Sequence, residues 1–293
     1  MIRLGSSVRR WSPTKGLVVI GLSILACVVA AAGKGVPAQT SAGDRFVLRA
    51  IPASAVHHFW QPPHIRNADG TSLNWSGYAV QPLQGSPPKK GKAAPSPAFT
   101  GVAGSWTVPS VSPSASQNTF SSSWVGMDGN SDNTVEQIGT EQDCSGGSAI
   151  YYAWFEMYPK GTYEIAGFPV NPGDTISAEV TYEGNGTFEL SITNESANIS
   201  FSTTQRSKSA QRSSAEWIEE APSWGGVLPL ADFGVVDFCD CAATLDGTPP
   251  GPISDAAWQY NVITMATGTG TTKAVPSGLS DGGTSFSVSW EHE

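Results

Sequence analysis

From Asn74 onward, bulky residues recur at every second position in short runs, and the runs are separated by clusters of Gly, Pro, Asn and Ser. A period of two is what a strand with one buried face requires, and the separators are turn chemistry. On this pattern strands are expected over 75–80, 104–108, 120–126, 150–158, 175–182, 186–193, 198–204, 234–239, 261–265 and 285–290. Segments such as Asn171-Pro172-Gly173 and Glu183-Gly184-Asn185-Gly186 supply the reversals between them. Residues 81–98, with five prolines and Lys89-Lys90-Gly91-Lys92, read as an exposed loop between two strands.

Many short strands at hairpin spacing, with no alternating helices, point to an all-β fold: a two-sheet antiparallel β-sandwich. The eight tryptophans from Trp75 onward supply material for its core. No internal repeat is evident, which disfavours a propeller. Composition agrees, because 32 Gly, 21 Pro and only 14% charged residues suit short strands and tight turns.

Charge divides the chain. Eight of the sixteen Lys and Arg lie at or before Arg66, whereas residues 74–293 carry 8 basic against 23 acidic residues, a net of −15. Such a body is a poor partner for nucleic acid or an anionic membrane. Arg3, Arg9, Arg10 and Lys15 precede an apolar run over 16–32 that ends in small residues, so 1–38 is expected to be a cleaved signal peptide and the protein secreted. The alternative is a membrane anchor, but the run is short for one. Residues 39–73 are basic and rich in His and Pro, as suits a propeptide over an acidic cleft or a plain linker. That leaves 74–293 as the functional domain. Cys144, Cys239 and Cys241 permit one disulfide in an exported protein, with no pairing specified, and lack a histidine to complete a zinc site.

The candidate chemistry is restricted by an absence. No histidine occurs between His64 and His292, so Ser-His-Asp catalysis has no base in the body of the domain. Lys160, Lys208 and Lys273 lie in turn-like or polar sequence, which argues against a Ser-Lys dyad. What remains is carboxylates, amides and hydroxyls. In an extended chain Tyr152, Trp154, Glu156 and Tyr158 share one face, Gln137 lies between Val135 and Gly139, and Glu220 shares a face with Ile218 and Glu216. Each also has a plain structural reading. Glu156 fits a solvated strand residue, Gln137 a satisfied polar side chain, and Glu216, Glu219 and Glu220 a charged sheet edge that resists aggregation.

Taken in order, Trp124-Val125-Gly126-Met127-Asp128-Gly129, Gln137-Ile138-Gly139, the segment from Tyr151 to Pro159, and Ala215-Glu216-Trp217-Ile218-Glu219-Glu220 resemble the motifs of the glutamic peptidases, the eqolisin family. Asn74-Trp75-Ser76-Gly77-Tyr78 is similar to the start of that family's mature domain, and the resemblance spans 74–293. It implies a secreted acid endopeptidase made with a propeptide, on a concanavalin- or jelly-roll-like sandwich. It further implies a monomer acting on protein or peptide substrates, with no metal or cofactor and no membrane attachment after signal cleavage. Gln137 and Glu220 match the catalytic pair, and Trp124, Asp128 and Glu156 match supporting positions in the cleft. Tyr152 stands where fungal members carry Asp, which alters the carboxylate network and bears on the pH optimum.

The implied chemistry fits the residues. At acid pH imidazole is protonated, whereas a glutamate remains partly ionised. The Gln137 amide is expected to favour the Glu220 carboxylate, hold a water between the two and donate to the developing oxyanion. Two other classes share these features: a carbohydrate-active or carbohydrate-binding sandwich using Glu156 and Glu220, and an inert adhesion module.

Overall fold

A computed structural model describes residues 46–51, 66–68, 70–83 and 97–293. The expected signal peptide, most of 39–73 and the greater part of the 81–98 loop lie outside the described residues. Eighteen strands run in chain order: β1 (Val47–Ala50), β2 (Arg66–Ala68), β3 (Thr71–Ser72), β4 (Trp75–Pro82), β5 (Phe99–Thr107), β6 (Ser122–Met127), β7 (Val135–Ser145), β8 (Ser148–Tyr158) and β9 (Tyr163–Ala166). They continue with β10 (Thr175–Gly184), β11 (Thr187–Asn194), β12 (Ile199–Arg206), β13 (Ala215–Glu220), β14 (Val235–Leu245), β15 (Gly251–Pro252), β16 (Trp258–Ala266), β17 (Thr272–Pro276) and β18 (Phe286–Trp290). Every strand expected from the alternation is present. The short strands β1, β3, β9, β15 and β17 carry too few residues to register a period of two.

The strands form two antiparallel layers. In the first the order is β1-β9-β8-β7-β6-β13-β4-β16. In the second β12-β11-β10-β5-β14-β18-β17 pair in turn, and β17 meets the far end of β16. Strand β16 therefore serves both layers, pairing with β4 over Trp258–Ile263 and with β17 and the parallel β3 beyond it. The core lies between the layers, where Val125, Ile138, Phe155 and Trp217 of the first meet Val102, Trp106, Ile176 and Val180 of the second. Two indoles tie the layers by hydrogen bonds: Trp217 Nε1 donates to the Ala103 carbonyl at 2.8 Å and Trp106 Nε1 to Thr140 Oγ1 at 3.0 Å. Trp75, Trp106, Trp124, Trp154 and Trp217 are all fully buried, as their number in the sequence suggested, although Trp224 is exposed.

Two sequence expectations change. Strand β13 lies between β4 and β6, so Glu216, Glu219 and Glu220 are buried on a central strand and do not charge a sheet edge. Lys273 is buried on β17 and does not sit in a polar turn. Cys144, Cys239 and Cys241 are buried thiols, and no disulfide joins the described cysteines. Part of the stretch expected to be a propeptide or linker is strand: β1 pairs along β9, and Phe46 packs on Phe168 and Phe201 at centroid distances of 5.9 and 5.8 Å.

Candidate active site

The site lies on the face of the first layer that points away from the core. Register alone assembles it, because residues paired across antiparallel strands project to the same side. One transverse row holds Glu156, Gln137, Gly126 and Glu216. The next holds Trp154, Gly139, Trp124, Ile218 and Gly77, and a third holds Tyr152, Glu141, Ser122, Glu220 and Trp75. A small apolar cluster of Trp75, Trp124, Trp154, Ile218 and Ile263, flanked by Tyr152 and Tyr158, forms the floor. Gln137 and Glu220 thus lie on one face, in rows on either side of Trp124.

Trp124 connects them. Its Nε1 donates to Glu220 Oε2 at 2.9 Å. The far side of the same indole lies over Gly126, the register partner of Gln137, where an added Cβ would come within 2.9 Å of the ring and 3.1 Å of Gln137 Cβ. A Cβ at Gly139 would meet Trp124 Cβ at 2.5 Å and the Ser123 carbonyl at 2.4 Å. The two glycines are therefore the space in which the indole lies flat on the sheet, a requirement that the Gly-rich motifs state without explaining.

Each candidate catalytic side chain has its own holders. Glu220 accepts from Asn74 Nδ2 at 3.0 Å on Oε1 and from Trp124 on Oε2. Gln137 Nε2 donates to Glu156 Oε2 at 2.8 Å, and Thr162 Oγ1 donates to Glu156 Oε1 at 2.8 Å. The amide of Gln137 is thus anchored on Glu156 and not directly on Glu220, unlike the sequence expectation. Its Oε1 has no hydrogen-bond partner among the described residues. All three side chains are buried, Glu156 at 0%, Gln137 at 2% and Glu220 at 3% exposure.

Electrostatically, burial raises every carboxyl of this face. Burial pushes Glu156 up to about 8 against the opposing Thr162 and Gln137 hydrogen bonds. Burial also holds Glu220 well above the usual carboxylate range, with repulsion from Glu156 adding to it and the Trp124 and Asn74 donors opposing. In the third row Glu141 is raised by burial, then by Asp143 and Glu220, and Asp143, two positions further along β7, rises to about 8 by burial despite hydrogen bonds from Glu141 and Tyr152. The Tyr152 phenol therefore contributes a hydrogen bond to this carboxyl cluster, and burial moves its own ionisation further upward.

Asp128 is placed elsewhere. Fully buried, at φ 70°, its carboxylate accepts from three successive backbone amides, those of Gln211 and Arg212 at 2.8 Å and Ser213 at 2.6 Å. It secures the loop that feeds β13 from the end opposite Glu220. Asp128→Ala would leave three amides without their acceptor, so thermal melts are expected to show a loss of about 3 kcal/mol. Asp128→Asn, which keeps one acceptor oxygen, is expected to lose less. Equal stability of Asp128→Ala and the parent would refute the clamp.

Asn74, Thr162 and Glu141 are site residues that the sequence reading did not single out. Glu141 was accessible, since it lies four positions from Gln137 on the same strand face. Asn74 was not, because it meets Glu220 across 146 residues.

The chain matches known proteins in sequence and in fold. Residues 88–290 match the family model described as the Peptidase A4 family. Aspergillopepsin-2 of Aspergillus niger is 30% identical over 219 residues, covering 67% of this chain and 76% of that protein. Scytalidopepsin B of Scytalidium lignicola is 34% identical over 162 residues, covering 51% and 60%. Among solved structures, scytalido-glutamic peptidase with a transition state analog inhibitor shares the fold at a TM-score of 0.60 and 24% identity, covering 75% of this chain and 98% of its own. Aspergilloglutamic peptidase from Aspergillus niger superposes at a TM-score of 0.53 with 26% identity, covering 59% of this chain and 99% of its own.

Proposed function

Because the chain belongs to the peptidase A4 family, the glutamic peptidases, we propose that it cleaves internal peptide bonds at acid pH with Glu220 and Gln137 as the catalytic pair. The observation that carries this reading is the Trp124 indole, which hydrogen-bonds Glu220 at one side and lies against the Gln137 row at the other.

The donor chemistry identifies which carboxyl acts as base. At acid pH Glu156 keeps its proton, and its repulsion on Glu220 disappears with its charge. A protonated Glu156 remains satisfied, since the Thr162 hydroxyl can reverse its role and accept. Burial opposes ionisation of Glu220, but its oxygens accept from an indole N–H that can only donate and from the Asn74 amide. Among the carboxyls of the face it is therefore the one whose ionised fraction its partners favour and on which the reaction draws. Its carboxylate takes a proton from a water that Gln137 Oε1 helps to orient. The water oxygen then adds to the peptide carbonyl. The Gln137 N–H not engaged by Glu156 donates to the resulting oxyanion, and Glu220 returns the proton to the departing amine as the C–N bond breaks. Substrate is a protein or peptide chain whose scissile carbonyl reaches Gln137 and Glu220.

On the same reading residues 1–38 direct export and 39–73 form a propeptide, part of which, β1, adds a strand to the edge of the catalytic layer. The test is direct. At about pH 3.5 the protein is expected to fragment unfolded polypeptides at internal bonds and to leave polysaccharides intact. Release of sugars without any peptide cleavage would overturn the proposal.

A further inference from the structure

Among the described strands β1 is the outermost of the first layer, and its own side chains do little to keep it there. Val47 and Leu48 are 57% and 43% exposed, and the ion pair of Arg49 with Glu164, at 3.8 Å, is largely solvated. What β1 supplies is backbone. Its four residues pair in register with β9, and Ile51 N continues the ladder by donating to the Thr162 carbonyl at 3.1 Å. Phe46, packed on Phe168 and Phe201, anchors the other end.

Ile51 is where this edge meets the candidate site. Thr162 is buried just ahead of β9, and its hydroxyl donates to Glu156 Oε1 at 2.8 Å. Glu156 Oε2 in turn accepts from Gln137 Nε2 at 2.8 Å. Three hydrogen bonds in series therefore run from the backbone amide of Ile51, through Thr162 and Glu156, to the side-chain amide of Gln137. The strand itself does not cover the cleft. Measured along the sheet at about 4.8 Å per strand, β1 is about 14 Å from β7 and about 24 Å from β13.

We infer that residues 46–51 are a positioning strand of the candidate active site, kept at the β9 edge while the enzyme works, and that they hold Gln137 in place through Thr162 and Glu156. The inference rests on the peptidase reading. One N–H of the Gln137 amide is tied to Glu156 and the other faces the oxyanion, so the aim of the second follows the placement of the Glu156 carboxyl. That carboxyl is set by the Thr162 hydroxyl, and the Thr162 backbone is set by the strand it pairs with. An oxyanion donor acts only when it is aimed at the point where charge develops, so a loosened Thr162 costs turnover and spares substrate binding.

The experiment uses the full chain. Ile51→Pro removes the N–H that the Thr162 carbonyl receives, at a sheet edge where proline is tolerated. It is expected to lower kcat for peptide cleavage at about pH 3.5 about fivefold with KM unchanged, whereas Ile51→Ala, which keeps the N–H, is expected to retain most of the parent's kcat. Thr162→Val, which lacks the hydroxyl, is expected to be slowed about tenfold, and adding Ile51→Pro to it is expected to change kcat no further. Mass spectrometry of the assayed sample establishes whether residues 46–51 are present. Ile51→Pro with the parent's kcat, Ile51→Pro that slows Thr162→Val by its full factor, or parent protein that works as fast once residues 46–51 are gone overturns the positioning strand. Parent protein that cleaves no peptide overturns the peptidase reading itself.

Discussion

Glu220→Gln is expected to lower kcat for peptide cleavage at about pH 3.5 by about 10³- to 10⁴-fold, and Gln137→Ala by about 10²- to 10³-fold. The first variant keeps the shape and the acceptor for Trp124 but removes the group that accepts the water's proton. The second removes an oxyanion donor and a water acceptor without adding charge. Both effects fall on kcat more than on KM, because the interactions lost are those that strengthen as the tetrahedral intermediate forms. Both folds are expected to survive. Gln137 and Glu220 lie on the face of the first layer that points away from the core, and the buried Glu156 that anchors Gln137 keeps its Thr162 hydrogen bond. Thermal melts within a few degrees of the parent, alongside lost cleavage, are the combined result expected. Near-parental turnover in either variant contradicts the mechanism.

A second large effect concerns stability. The melting temperature is expected to be highest near pH 3 to 4 and to fall by at least about 15 °C by pH 7 to 8. Burial raises Glu136 to about 9 and Asp143, Glu156 and Glu219 each to about 8. A carboxyl whose folded value lies above its unfolded one binds its proton more tightly when folded. Its contribution is complete below the unfolded value, near 4, and is lost as pH climbs through the folded value. Between pH 4 and 7 each such group forfeits roughly 3 kcal/mol, so several together rival the 5–15 kcal/mol that holds a typical domain. Asp128, raised to about 6 by burial and by Asp132, begins to ionise first. The causal control is Glu136→Gln with Glu219→Gln, two buried positions on the core-facing side of the layer, which is expected to flatten the upper limb of the profile. A melting temperature that rises toward neutrality would contradict the burial of these groups as neutral acids.

This behaviour also corrects an inference from net charge. The −15 of residues 74–293 treats every carboxyl as ionised, yet Glu136, Glu141, Glu156, Glu216 and Glu219 are buried and strongly raised. The acidic composition is thus partly a polar interior that suits acid conditions rather than a surface field.

How much of this was legible in the sequence depends on the range of the interaction. Alternation over 150–158 placed Tyr152, Trp154, Glu156 and Tyr158 on one face, and the register puts them on the same face as Gln137. The ordered motifs identified the family and singled out Gln137 and Glu220 among many polar residues. Local pattern could not reveal that β13 is central, because an isolated Glu-rich strand looks the same at an edge as between two neighbours. Nor could it show that Gln137 is anchored by Glu156, a cross-strand pair 19 residues apart, or that Asn74 reaches Glu220. Lys273 was misread for the same reason: its short strand is buried by β16, β18 and the chain after β18, not by anything adjacent in sequence.

The central claim is that Gln137 and Glu220 act on one water and one carbonyl as a unit. A double-mutant cycle in kcat/KM at about pH 3.5, using Gln137→Ala, Glu220→Gln and the pair, tests it most directly. Residues that act as a unit give a double variant no worse than about the weaker single one, because either loss already disables the step. If the two losses instead multiply, Gln137 and Glu220 work independently and the shared-water mechanism is wrong.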